Sequence, residues 1–128
     1  MIFVDTSVWI HFFRVSNDRT TSHLKELLDN HSIALSVPVK HELLAGCSAH
    51  TFPQLQRTLS ALPTFFPSQE SWPLLERWIE IAIKKGEHFG IADLLIAAIA
   101  ELNKGLLWSL DQDFQRMEKL KFIKIYRY

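Results

Sequence analysis

The sequence predicts an α/β protein built on a parallel sheet with helices over both faces. Two observations carry the prediction. Short apolar runs alternate with helical patterns along the whole chain, an order that calls for parallel strands joined by helical crossovers. The 128 residues are 48% hydrophobic and 22% charged, which is enough apolar surface for one sizeable core in a single domain spanning residues 1–128.

Element by element, Met1 to Val4 is an apolar run that ends at Asp5. Thr6 and Ser7 then open a helix carrying Val8, Trp9, Ile10, Phe12 and Phe13. A second helix covers Thr21 to Asp29, with Leu24, Leu27 and Leu28 on one face. SIALS, residues 32–36, is the second strand, and Pro38 suits the first turn of a helix running to Gly46. Leu55, Leu59 and Leu62 keep step in a helix over residues 52–62, after which Pro63 and Pro67 bracket a connector, TFF. Residues 68–86 read as a long amphipathic helix with Trp72, Leu75, Trp78, Ile79, Ala82 and Ile83 at helical spacing, stopped by Gly86. GIADLLIAAIAELNKG, residues 90–105, is a mostly buried helix ended by Asn103, Lys104 and Gly105. GLLWSL, residues 105–110, is the third strand and ends at Asp111. A short helix over residues 112–120 and a last strand, FIKIY at 122–126, complete the chain, and no repeat or linker divides it.

Composition excludes several classes. Gly and Pro, at four and five residues, are too few for a low-complexity or collagen-like chain. A formal net charge of zero leaves any nucleic-acid contact to local charge. Cys47 is the lone cysteine, so it has no internal disulfide partner, which fits a reducing compartment. The start MIFVD has no basic n-region, and no apolar run approaches the roughly 20 residues of a membrane span. A soluble, cytoplasmic protein without a membrane partner is expected.

The carboxylates carry the chemistry. Asp93 heads the apolar run Leu94 to Ala100, where an ionised acid costs several kcal/mol, order of magnitude, unless its charge is compensated. A Lys or Arg, backbone N–H groups or a metal ion could do so. Gly90, Asp93, Ala97 and Ala100 share a helix face of small residues, which suggests a hollow above the acid, while Ile91, Leu94, Leu95, Ala98 and Leu102 fill the other side. Asp5 and Asp111 each follow an apolar strand, at the sheet edge where α/β sites form. Glu42 and Asp93 lie in helices that start from or approach that edge, and Asp113 is two residues beyond Asp111. Singly, Asp5 and Asp111 read as helix caps, Asp113 as exposed or capping, Asp93 equally as cap or site, and Glu42 as a surface residue. Together they are mutually repelling acids, a conflict that a hard cation such as Mg²⁺ or Mn²⁺ resolves with oxygen ligands. The six His are scattered and give no zinc pattern.

FVDTSVWI, VKHELLAG, ADLLIAAIA and WSLDQDF resemble, in order and spacing, the four motifs of the PIN-domain ribonucleases, most closely the small VapC-type toxins. The resemblance spans nearly the whole chain. It implies a three-layer α/β/α sandwich with a central, mostly parallel sheet, and a metal-dependent endoribonuclease acting on RNA. It also implies a homodimer, inhibited by a small antitoxin protein whose tail enters the acidic groove. Asp5, Glu42, Asp93 and Asp111 occupy the positions of the family's acidic quartet, Asp113 that of an additional acid, and Thr6 and Ser109 those of flanking hydroxyls; Ser109 stands where Thr is more common.

Asp5, Asp93 and Asp111 are thus expected as ligands to one or two ions, with Glu42 holding a metal-bound water or orienting the nucleophile and Thr6 and Ser109 orienting carboxylates. Arg14, Lys40, Lys84, Lys85 and Arg116 are candidate cations for holding RNA around an acidic site. Trp9, Phe12, Phe13, Trp72 and Trp78 suit a core or a dimer interface better than base stacking. The main rival is a non-catalytic RNA- or protein-binding module with a degenerate site, disfavoured because all four acids are present. A phosphoacceptor domain would need paired acids after the first strand and a Lys ending a late strand; Asp5 stands alone and LWSL ends in no Lys. The nuclease reading requires that the acids at 5, 42, 93 and 111 meet with no Arg or Lys nitrogen among them.

Overall fold

A computed structural model describes residues 1–128. Its strands are β1 (Ile2–Val4), β2 (Ile33–Ser36), β3 (Thr64–Phe65) and β4 (Leu106–Trp108). They form one sheet in the order β3-β2-β1-β4, with every neighbouring pair parallel. The helices are α1 (Thr6–Arg14), α2 (Arg19–Asp29), α3 (Val37–Ala45), α4 (Phe52–Ser60), α5 (Ser71–Lys84), α6 (Ile91–Leu102) and α7 (Gln112–Lys119). All residues of β1 and β2 are buried, so side chains on both faces of the central strands are covered, as the α/β/α expectation requires.

Local chemistry starts the helices. Asp5, Asp18 and Asp111 each accept a backbone N–H at the head of α1, α2 and α7, while Pro38 and Pro53 sit in the opening turns of α3 and α4. The core joins Phe3, Leu35 and Leu107 of the sheet to Leu94, Ile96 and Ile99 of α6, Phe114 and Met117 of α7, and Phe122.

Topology places the site. The connections β1 to β2 to β3 step in one direction; the connection to β4 returns past β1 to the far edge. That reversal of direction puts a topological switch point at the C-terminal ends of β1 and β4, where open α/β sheets form their crevices. Asp5 follows β1 directly, and Ser109 and Asp111 follow β4. The two strand ends are stitched together by Asp5 N–H donating to the Trp108 carbonyl at 2.9 Å.

Four expectations need correction. TFF is not a plain connector: Thr64 and Phe65 form β3, paired with β2 through a backbone ladder that two residues cannot announce by pattern. FIKIY is not a regular strand. Phe122 and Ile123 plug into the core, Lys121 takes a left-handed turn (φ 64°), and only one bridge, Leu107 to Ile125, reaches β4. The long helix begins at Ser71 rather than Ser68, because Ser71 Oγ accepts the Ser68 N–H in a turn that precedes it. Around Asp93, Ala97 and Ala100 are fully buried core residues, whereas Ile91 and Leu102 are exposed, so the small residues pack and do not line a hollow.

Gly105 shows how tightly β4 enters the sheet: a Cβ there would lie 2.5 Å from the Phe3 ring and 3.1 Å from the Met1 carbonyl oxygen. Gly105→Ala is expected to lower the unfolding free energy by about 1–3 kcal/mol through overpacking, read by urea denaturation. A change below about 0.5 kcal/mol would mean that Phe3 moves aside at little cost.

Candidate active site

Four elements deliver the acids. Asp5 follows β1 and caps α1; Glu42 stands in the second turn of α3; Asp93 is in the first turn of α6; Asp111 caps α7, and Asp113 is in its first turn. Asp93, Asp111 and Asp113 each place a carboxylate oxygen within 4.8 Å of the others. Asp5 and Glu42 are not part of that group of three, and their charges still act on Asp93.

The protein commits one oxygen of each outer acid. Asp5, only 4% exposed, receives three donors on Oδ2: Ser7 Oγ at 2.7 Å, Ser109 Oγ at 2.8 Å and the Ser7 N–H at 3.3 Å. Thr6 Oγ1 donates to Glu42 Oε1 at 2.7 Å. The Asp113 N–H donates to Asp111 Oδ1 at 2.9 Å. Arg116 Nη2 donates to Asp113 Oδ1 at 2.6 Å. The second oxygen of each acid has no such partner. The capping reading and the site reading of Asp5 and Asp111 are therefore compatible, because a cap uses one oxygen and leaves the other.

Asp93 differs. It is half-buried and accepts no hydrogen bond and no ion pair. Burial, then the charges of Asp5, Asp111, Asp113 and Glu42, push its carboxyl up to about 6. No Lys or Arg pairs with Asp5, Glu42, Asp93 or Asp111, while Arg116 pairs with Asp113. The donor set is all carboxylate oxygen, with one member that no protein group neutralises, and such a set fits a hard divalent cation.

Ser7 is the site residue that sequence reasoning missed. Its hydroxyl touches Asp5, lies 3.2 Å from Ser109 Oγ and accepts the Leu110 N–H at 3.0 Å, while Ser109 Oγ accepts the Asp111 N–H at 2.9 Å. The signal was its place two residues after Asp5 in DTS, where an Asx-type contact is natural. Among the candidate RNA cations, Arg14 is exposed at the end of α1 beside a groove that includes Glu42. Lys40 donates to Ser60 Oγ at 3.2 Å, and Lys84 and Lys85 are exposed at the end of α5, Lys84 being 4.0 Å from Glu80. Arg116 is not a free rim cation: it is held between Glu87 and Asp113 over the Phe89 ring. Trp9 and Trp78 are buried, whereas Phe13 and Trp72 are each about half exposed.

Sheet order, strand-end acids and hydroxyl supports together define an α/β protein with an acidic, cation-suited site at its topological switch point. The PIN domain family model matches residues 2–120, and the chain belongs to that family. It is 27% identical over 125 residues to ribonuclease VapC11 of Mycobacterium tuberculosis, covering 94% of this chain and 93% of that one. VapC ribonuclease Mb1587 of Mycobacterium bovis matches to the same degree. The fold is shared with VapBC2 of Rickettsia felis bound to a promoter DNA fragment, with a TM-score of 0.79, 23% identity and 100% and 99% of the two chains covered. It is shared also with FitAcB of Neisseria gonorrhoeae, with a TM-score of 0.76, 20% identity and 99% and 97% covered. No helix is long and apolar enough to cross a membrane.

The Asp93 shift has a signed consequence for stability. Below pH ~4 the carboxyl is protonated in both states. As pH rises to about 6 the unfolded chain loses the proton while the folded chain keeps it, so stability falls with pH and the cost is complete above 6. Undiscounted, the shift is worth about 3 kcal/mol; solvent around a half-buried group reduces that to about 1–2 kcal/mol. Asp93→Asn in EDTA at pH 8 is expected to gain that amount in urea denaturation, with the gain shrinking towards pH 4. A loss at pH 8 would mean that Asp93 serves as a structural partner.

Proposed function

We propose that the chain is an endoribonuclease that depends on Mg²⁺ or Mn²⁺, hydrolyses RNA phosphodiesters and acts as the toxin of a toxin–antitoxin pair. One observation carries the reading: Asp93 is a half-buried carboxylate without a protein partner, with oxygens of Asp111 and Asp113 within 4.8 Å and the charges of Asp5 and Glu42 acting on it. The VapC ribonucleases among its relatives support the same activity.

Asp93, the uncommitted oxygens of Asp5 and Asp111, and Glu42 on the far side are the groups that would hold and surround a cation. When bound, it lowers the pKa of a water and offsets charge on the phosphodiester. Glu42 has one oxygen pinned by Thr6, so its other oxygen is aimed and can orient the attacking water and accept its proton. Ser7 and Ser109 hold Asp5 to one rotamer, which keeps the acidic locus ready for a ligand. Asp113 stands beside Asp111 as a further negative charge. RNA is drawn by Arg14, Lys40, Lys84 and Lys85, and its backbone phosphates are the group these cations suit.

The antitoxin partner suits the apolar groove beside Glu42, lined by Ile10, Phe13, Leu43, Cys47 and Leu55 with Arg14 at its edge. A homodimer suits the exposed apolar side chains Trp72, Ile81 and Ile83 of α5 and Ile91 of α6.

Two outcomes are expected. Mn²⁺ raises the melting temperature of the wild type but not of Asp5→Asn/Asp93→Asn, and Asp93→Asn abolishes cleavage of single-stranded RNA. Absence of any shift at millimolar Mn²⁺ would defeat the cation site; a shift without cleavage of any RNA would favour a binding module. Ser7→Ala is expected to lower cleavage about 10–100-fold by releasing Asp5, while its unfolding free energy in EDTA falls by about 1–3 kcal/mol because Asp5 loses a donor and the Leu110 N–H its acceptor. Full activity in that variant would remove Ser7 from the site.

A further inference from the structure

Arg19 is the first residue of α2, is exposed and pairs with no carboxylate. Its guanidinium carbon lies 5.1 Å from the centroid of the Tyr128 ring. The other arginines are placed differently. Arg116 and Arg127 are taken up by acids, and Arg14, Arg57 and Arg77 have neither an acid nor a ring. Asp18, the acid beside Arg19 in sequence, is turned to His11 and to the Thr21 N–H. The dipole of α2 disfavours a cation at its first residue, so the ring is the group that favours the charge there. A guanidinium laid over a ring keeps its N–H edges for a second group.

Tyr128 is itself held. It stacks on His23, with ring centroids 3.8 Å and planes 11° apart, and meets the Trp108 ring edge-on at 5.3 Å. A hydrogen bond of 2.7 Å joins His23 Nε2 to the Tyr126 hydroxyl. Trp108 is the last residue of β4, and its carbonyl accepts the Asp5 N–H. The parallel bridge between Leu107 and Ile125 carries residues 126–128 towards the sheet end that bears Ser109 and Asp111. The stack of Arg19, Tyr128 and His23 thus stands on the β4 side of the edge where the acids lie, with Tyr128 46% exposed. Acids repel an RNA backbone, and an unpaired guanidinium held at the same edge matches a phosphate with two parallel donors. We propose that Arg19, seated on Tyr128, binds a backbone phosphate of the single-stranded RNA that passes the acidic locus. The inference rests on the ribonuclease reading above and deepens it.

Fluorescence anisotropy of a labelled single-stranded RNA of about 12 nucleotides, titrated with the intact chain in EDTA from about 50 to 300 mM NaCl, reads this contact without cleavage. Arg19→Gln is expected to weaken binding about 3–10-fold at the lowest salt and to lower the slope of log affinity against log salt by about 0.7. Arg19→Lys restores the slope but not the full affinity, because an ammonium lacks the planar fork. Tyr128→Leu weakens binding with no change of charge, and adding it to Arg19→Gln costs little more, because the ring acts through Arg19. If Arg19 only pins the segment after α7, Arg19→Gln lowers the melting temperature and leaves RNA affinity and slope unchanged, which overturns the inference while the ribonuclease reading stands. An equal loss in Arg77→Gln overturns it too, by showing a general effect of charge. Arg19-dependent binding of hexaglutamate, with RNA affinity unmoved, overturns it in favour of an acidic protein partner. A wild type that binds no RNA also overturns it, and cleavage of the same RNA with Mn²⁺ then decides the ribonuclease reading separately.

Discussion

The site depends on one unbalanced charge. Every other acid at the sheet edge gives an oxygen to a protein donor, and Asp93 gives none. The helix that bears it is anchored by Leu94, Ile96, Ala97, Ala98, Ile99 and Ala100, all buried. The apolar run that looked incongruous behind an acid is what holds the acid in place. Folding energy drawn from that run keeps a carboxylate among like charges, and a bound cation would return the cost as affinity.

The hydroxyls show how the chain bears this arrangement. Asp5 is the most buried of the five acids, and Ser7 and Ser109 satisfy it while linking the ends of β1 and β4. The Leu110 and Asp111 N–H groups are taken up by the same two hydroxyls, so the turn after β4 is fixed by the contacts that orient Asp5. Thr6 does the same for Glu42 across two helices. Fold and site are one hydrogen-bonded unit here, and a change in either strand end is felt by the acids.

Much of this was legible in the sequence. Strand–helix alternation gave the parallel sheet, and the apolar runs before Asp5 and Asp111 put two acids at its C-terminal edge. Asp93 was conspicuous for its setting, and its lack of a partner emerges only in the fold. Features set by backbone pairing or long-range contact were hidden. Two residues between prolines carry no period, so β3 was invisible, and FIKIY has a strand's composition but spends Phe122 and Ile123 on the core. Arg116 looked like any basic residue of a charged C-terminal stretch; its partners Glu87 and Phe89 lie nearly thirty residues away in sequence and meet it only in the fold.

The most direct test of an uncompensated Asp93 is the titration of its own carboxyl carbon by carbon-13 NMR, assigned with Asp93→Asn, in EDTA and again with Mg²⁺. A midpoint near pH 6 in EDTA that falls by at least about one unit with Mg²⁺ is the predicted result. An ordinary midpoint near pH ~4, unmoved by Mg²⁺, would show that a protein group already balances the charge, and the account of the site would fail.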